Sequence, residues 1–194
     1  MPPATATRRE SLEWLSDAAL SADFGLISTA SLVVGVACAS AERQTVLAAA
    51  MAVLFSGSFA MAAEQYLSVS TEADRARVDL ASRLMQHDAQ GEQTRDEQGL
   101  AEIDAVRPLK EAVTAAACFA VGAALPLLVV LLAAPARVVP LTVTSSLLLL
   151  AVLGAIGARI DGASEAKAVA RIVFWGALAM GVTAIEGLIF GAVT

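Results

Sequence analysis

One histidine and two cysteines in 194 residues leave little material for the commonest kinds of site chemistry. The single histidine is His87, no Ser-His pair lies within the apolar stretches, and there is neither an H-E-x-x-H motif nor a glycine-rich phosphate loop, so no enzyme is expected. Cys38 and Cys118 each sit in an apolar run without metal-type spacing, which excludes a disulfide framework and a zinc site and leaves two small buried hydrophobes. The N-terminus lacks a short apolar core followed by a small-residue cleavage site, so no removable signal peptide is expected. Charge is scarce along most of the chain: ten of the 19 acidic residues fall between Glu72 and Glu111, and that acidic balance argues against nucleic acid as a partner.

What remains is apolar. A hydrophobic content of 57% and a mean hydropathy of +0.69 are too high for a soluble domain of this size and indicate an all-α integral membrane protein whose partner is the lipid bilayer. A hydrocarbon core of about 30 Å needs about 20 helical residues. Five stretches meet that length in one membrane domain, at 18–39, 46–69, 112–134, 138–158 and 169–193, with a short acidic helical insert at 70–111 between the second and third. Residues 8–17 place Leu12 and Leu15 on one side and Trp14 near the membrane, as an interfacial lead-in helix would. The first span, with Ser21, Asp23, Ser28, Thr29 and Ser31, is polar for a lipid-facing helix and is expected inside the bundle. Pro126 predicts a kink in the third span, and Ser164 a cap before the fifth.

Orientation follows from the basic residues. Eleven of the 13 Lys and Arg fall on the side of the N-terminus and the insert, against Arg43 and Arg137 on the other, which predicts a cytoplasmic N-terminus and insert with the C-terminus outside.

The second span carries the polar groups most in need of explanation. Met61, Glu64, Gln65 and Ser68 recur at offsets of three and four, so they stack on neighbouring parts of one helical face. A carboxylate is costly in lipid, so Glu64 is a functional candidate by default. Asp23 lies five residues in from one end of the first span and Glu64 five residues before the end of the second, about 8 Å inside the same face at about 1.5 Å per residue. Two carboxylates at one depth could form a cation site, with Gln65 as an oxygen ligand and the Met61 sulfur one turn deeper for a borderline metal. Alone, Met61 would read as core packing, and Asp23 or Glu64 as acids bonding locally near the interface. In the insert, His87, Asp88, Glu92, Asp96 and Glu97 supply nitrogen and oxygen ligands of the kind divalent first-row metals accept, or else a solvated acidic helix. Glu186, in the last span, reads as interfacial.

These segments resemble the vacuolar iron transporter (VIT) family. GLISTASLVVGVA at Gly25–Ala37 is similar to its first-span signature. MAAEQYLSVSTEAD at Met61–Asp74 is similar to its M-A-A-G-E-Y-V-S-V-S pattern, LMQHDAQGEQTRDEQGL at Leu84–Leu100 to the end of its cytoplasmic domain, and GALAM at Gly176–Met180 to its last helix. The resemblance implies a five-helix protomer, a homodimer with the ion path between the copies, and proton-linked export of Fe2+ or Mn2+ from the cytosol. It also implies no permanently bound cofactor and, for a prokaryotic member, the bacterial cell (inner) membrane. Two departures are paired. Phe24 stands where the family's first-span acid is usual and Asp23 precedes it; Gln65 stands where Glu is usual and Glu64 precedes it. One residue is about 100° around a helix, so both carboxylates are redirected unless the helices rotate in compensation. The insert is also shortened, with Gln93 in place of a second histidine. Beside the transporter stands a second reading, a non-transporting membrane scaffold or regulator that keeps the fold.

Overall fold

A computed structural model describes residues 4–87, 107–160 and 162–193. They form five helices, α1 (Ala4–Cys38), α2 (Arg43–His87), α3 (Arg107–Leu132), α4 (Val138–Ile160) and α5 (Glu165–Val193), with one 3-10 turn at Pro135–Arg137 and no strand among the described residues. All five are long and apolar enough to cross a membrane. The expected span limits fall within or close to these helices, but two boundaries dissolve. Residues 8–17 are the first turns of α1 rather than a separate lead-in helix, and α2 continues through Ser70 to His87. At about 1.5 Å per residue α2 is about 68 Å long, twice what a bilayer needs. Its extension is rich in Ala, Arg and Leu and carries an Asp74–Arg77 pair at i, i+3, so propensity alone favours continuing the helix.

The connections explain the directions. Cys38 and Arg43 are separated by four residues, in which Ser40 adopts φ 60 and its N–H donates to the Ala37 carbonyl. Gly162, at φ 67, turns the chain after α4, where glycine carries no Cβ penalty. Arg43 donates from its guanidinium to the Leu131 carbonyl, tying the start of α2 to the otherwise unsatisfied end of α3. Side-chain contacts then fix the relative senses. Val46 and Ala50 of α2 pack with Val33 of α1 and Val130 of α3, whereas the other half of α2 meets the N-terminal turns of both, so α2 runs antiparallel to α1 and α3. We call the side holding the N-terminal turns of α1 the near face and the other the far face.

The core is built around α1. Half of its apolar stretch is buried, and Leu26, Ala30, Val33 and Val34 have at most 1% of their surface exposed. Two glycine contacts bring its neighbours in. A Cβ at Gly25 would run into the Phe119 carbonyl and one at Gly122 into the Ala22 carbonyl, so α1 and α3 cross backbone to backbone. On the other side a Cβ at Gly187 of α5 would meet the Gly35 carbonyl. Small residues allow this approach, and close approach is what binds helices to each other in lipid. The polar first span therefore lies inside the bundle, as its composition predicts. Most of α2, by contrast, faces outward: only 11% of its apolar stretch is buried, and Phe59 is 77% exposed. Such a surface suits lipid or another protein and not water.

Candidate functional site: an acidic cavity at the near face

Three helices open toward the near face and leave a cavity of about 350 Å³ between them. Trp14, Asp17, Ala18 and Ser21 of α1 form one wall. Gln65, Ser68, Val69 and Glu72 of α2 form the second, and Glu111, Thr114 and Ala115 of α3 the third. The first two sets follow the i, i+3, i+4, i+7 spacing of a single helical face and the third its i, i+3, i+4 part, so a regular helix delivers each set at once. Three carboxylates line the cavity and no basic side chain does. Asp17 and Glu72 are exposed and Glu111 is half-buried, and together they give the concave wall its acidic character. Hydroxyl and amide groups from Ser21, Ser68, Thr114 and Gln65 complete a polar lining. Two of those hydroxyls are turned back onto their own helices, Ser21 to the Asp17 carbonyl at 2.9 Å and Thr114 to the Lys110 carbonyl at 2.9 Å.

The carboxylates are not gathered into a tight cage. No group of three or more His, Cys, Asp or Glu among the described residues is arranged to hold a metal ion. The cavity can concentrate a cation that keeps its water shell, which is the property of a mouth rather than of a storage site.

The residues singled out from the sequence separate here. Gln65 lines the cavity. Glu64, one position earlier and about 100° around α2, is exposed on the outer surface. Met61 is half-buried and outside the cavity lining. Asp23 is buried, with 6% of its surface exposed, but it does not line the cavity either. It lies two positions beyond Ser21, about 200° around α1, on the stripe of Ile27, Ala30 and Val34 that packs toward α4 and α5. Phe24, expected from the resemblance to stand in the place of the family's acid, is 52% exposed on the outer face of α1 together with Leu20 and Ser28. Within the chain Asp23 and Gln65 thus sit on opposite sides of α1. His87 is the last residue of α2, and its side chain lies outside the described residues, as do Asp88, Glu92, Asp96 and Glu97.

Sequence reasoning passed over Asp17, Glu72 and Glu111. A signal existed for Glu72, which completes the Gln65, Ser68, Val69 stripe at i+7. Asp17 and Glu111 stand at span ends, where acids are common, and only the meeting of three helices distinguishes them.

The sequence pattern of the VIT family matches residues 15–97 and 79–188, covering both the cavity walls and the two remaining helices. The chain belongs to the VIT family. Among curated proteins this VIT-family chain is 37% identical over 173 residues to vacuolar iron transporter homolog 1 of Oryza sativa subsp. japonica, covering 88% of this chain and 71% of the relative. It is 34% identical over 171 residues to vacuolar iron transporter homolog 5 of the same species (88% and 77%), and 29% identical over 172 residues to vacuolar iron transporter homolog 4 of Arabidopsis thaliana (88% and 81%). Phe24, which the resemblance sets at the position of the family's first-span acid, faces outward in a chain whose residues 15–188 match the family pattern.

Proposed function

We propose that this protein is a transporter of divalent metal cations, Fe2+ or Mn2+, carrying the ion from the near face, which is cytoplasmic, to the far face in exchange for protons. The observation that carries this reading is the acidic cavity opening at one face of an apolar five-helix bundle of VIT-family sequence. The relatives' names as iron transporter homologs support the choice of cargo. Asp17, Glu72 and Glu111 draw the hydrated cation in, and Gln65 offers a carbonyl oxygen at the inner wall. Glu64 and Met61 serve the following step. A carboxylate facing lipid is costly, so the exposed Glu64 is accounted for by a second copy of the chain that covers it, and the functional unit is a homodimer with the ion path along that contact. The cation is cargo, and the protein carries no resident cofactor.

Uptake of Fe2+ and Mn2+ into proteoliposomes, each tested separately with an internal pH dye, checks this. Flux of either metal with opposite proton movement is expected, and Glu64→Gln is expected to abolish it while the protein still assembles. Absence of flux for both metals from folded protein would overturn the transporter reading in favour of a membrane scaffold.

A further inference from the structure

A charged side chain on the lipid-facing surface of a membrane helix is costly unless it finds a counter-ion or reaches the headgroups. Several basic residues here have a partner in the protein. Arg77 pairs with Asp74 at 3.3 Å, Arg159 with Glu165 at 2.8 Å, and Arg43 donates to the Leu131 carbonyl. Arg75, Lys110 and Arg137 lie outside the expected spans, where water reaches them. Lys167 and Arg171 of α5 are different. Both are exposed, both belong to a helix that crosses the membrane, and neither makes an ion pair among the described residues.

Their depth follows from the packing of α5. Gly176 borders Ile27 and Gly187 borders Gly35, so α5 runs parallel to α1. Arg171, five residues before Gly176, is then level with about Ala22, inside the first span, and Lys167 is one turn nearer the near face. Four residues apart, the two side chains are neighbours on one helical face, where like charges repel. The acids nearby do not offset them. Glu165 is engaged by Arg159, which brings a further positive charge to this end, and Glu186 stands toward the far face. Asp23 of α1 is buried with an oxygen that no described group reaches, and Asp161 lies outside the described residues.

The same face of α5 continues as apolar surface. Phe174, Trp175, Leu178, Val182 and Ile185 follow Arg171 at offsets of three, four, seven, eleven and fourteen, and each is 44 to 61% exposed. The rings of Phe174 and Trp175 meet edge to face, with centroids 5.7 Å apart, one turn deeper than the guanidinium-bearing residue. Arg171 to Val182 covers about 16 Å at about 1.5 Å per residue, one leaflet of a hydrocarbon core of about 30 Å. Two cations at the headgroup level above a leaflet-deep apolar and aromatic stripe match the two ends of one molecule. A free phosphate would leave the stripe uncovered, and a second copy laid face to face would set Lys167 and Arg171 against themselves. We propose that Lys167 and Arg171 bind the headgroup phosphate of an anionic phospholipid whose acyl chain lies along Phe174, Trp175, Leu178 and Val182. The Arg171 side chain reaches outward along the helix to the phosphate and offers it a planar pair of N–H donors, while the Lys167 ammonium acts as a point charge. The near face then has two charge preferences, a cation at the cavity of α1, α2 and α3 and a lipid phosphate on α5. The lipid site does not rest on the transport reading.

Trp175 can report on this site, because the chain has two tryptophans and Trp14→Phe leaves it as the only one. The Trp14→Phe protein is placed in phosphatidylcholine nanodiscs that contain a minor fraction of either phosphatidylglycerol or phosphatidylcholine with brominated acyl chains, and the quenching of Trp175 is followed as that fraction rises. Half-maximal quenching is expected at an about thirtyfold lower fraction of the brominated phosphatidylglycerol, the combined pull of two basic residues on an anionic headgroup. The Lys167→Gln, Arg171→Gln double variant is expected to bring the two curves together. The Lys167→Arg, Arg171→Lys exchange, which keeps both charges, is expected to hold them apart, separating loss of charge from disturbed packing. Equal quenching by the two lipids with Lys167 and Arg171 in place, or a preference that survives the double glutamine variant, overturns the proposal. A Trp175 that neither lipid quenches also overturns it, by showing that a second copy covers the stripe. Inorganic phosphate added to the nanodiscs is expected to leave the quenching unchanged; displacement of the brominated phosphatidylglycerol by it would overturn the lipid in favour of a free anion.

Discussion

The two sides of α1 differ in how they treat polarity. Toward α2 and α3, polar residues face an open cavity: three carboxylates, a glutamine and several hydroxyls line about 350 Å³. On the stripe that packs toward α4 and α5, Asp23 is buried with an oxygen that no described group reaches. The same helix therefore borders an open, acid-lined cavity on one side and holds a single acid in a confined interior on the other. In a membrane protein the cost of a carboxylate depends on which of these it meets, because a hydrated acid costs little and an enclosed one is costly unless something is bound there.

Both sides are held by backbone contact at glycine, and the strongest way to break the comparison is to fill those contacts. Gly122→Val on the α3 side and Gly187→Val on the α5 side each force a side chain into a facing carbonyl. Each is expected to cost about 3 kcal/mol, lowering the melting temperature by about 10 °C in detergent, as read by thermal unfolding. Loss on only one side would mean that α1 is anchored from that side alone.

A smaller effect distinguishes packed from open polarity. Ser146→Leu, at a position with no exposed surface, is expected to destabilise by about 2 kcal/mol through overpacking, whereas Ser68→Leu in the cavity wall stays within about 0.5 kcal/mol. Equal losses in a thermal-shift comparison would show that the cavity is as tightly filled as the interior. Smaller again is the electrostatic role of the mouth. The Asp17→Asn, Glu72→Gln, Glu111→Gln triple variant is expected to raise the KM for Mn2+ uptake by about tenfold at low ionic strength with kcat nearly unchanged, the difference fading as salt rises. A KM that does not respond would show that the three carboxylates have no part in capture. The smallest expected effect lies outside both sides: the exposed Arg159–Glu165 pair, 2.8 Å apart at the α4–α5 turn, is open to solvent, so Glu165→Gln should leave the unfolding midpoint unchanged.

Length and hydropathy make the five helices legible. The expected span at 138–158 becomes Val138–Ile160 and that at 18–39 ends within a residue of Cys38, because about 20 apolar residues can satisfy their backbone in lipid only as a helix. The continuations through Trp14 and Ser70 were less legible. Polar residues there mark where the membrane stops, and helix propensity carries the backbone further. The site was legible in part. Gln65 and Ser68 were found from their stripe on α2, while Asp17 and Glu111 became site residues only when three helices met around them. Counting residues sets Asp23 and Glu64 at one expected depth, yet Asp23 is buried in the bundle and Glu64 is exposed on its surface.

The sequence by itself determined the membrane class, the five apolar helices and the family, since these depend on local composition and on the length an apolar helix needs to cross a membrane. The tertiary structure alone decided direction around each helix. Which face of α1 meets the cavity and which is enclosed follows from where α3 and α5 press their glycines against it, and a turn of about 100° is enough to move a carboxylate from one environment to another.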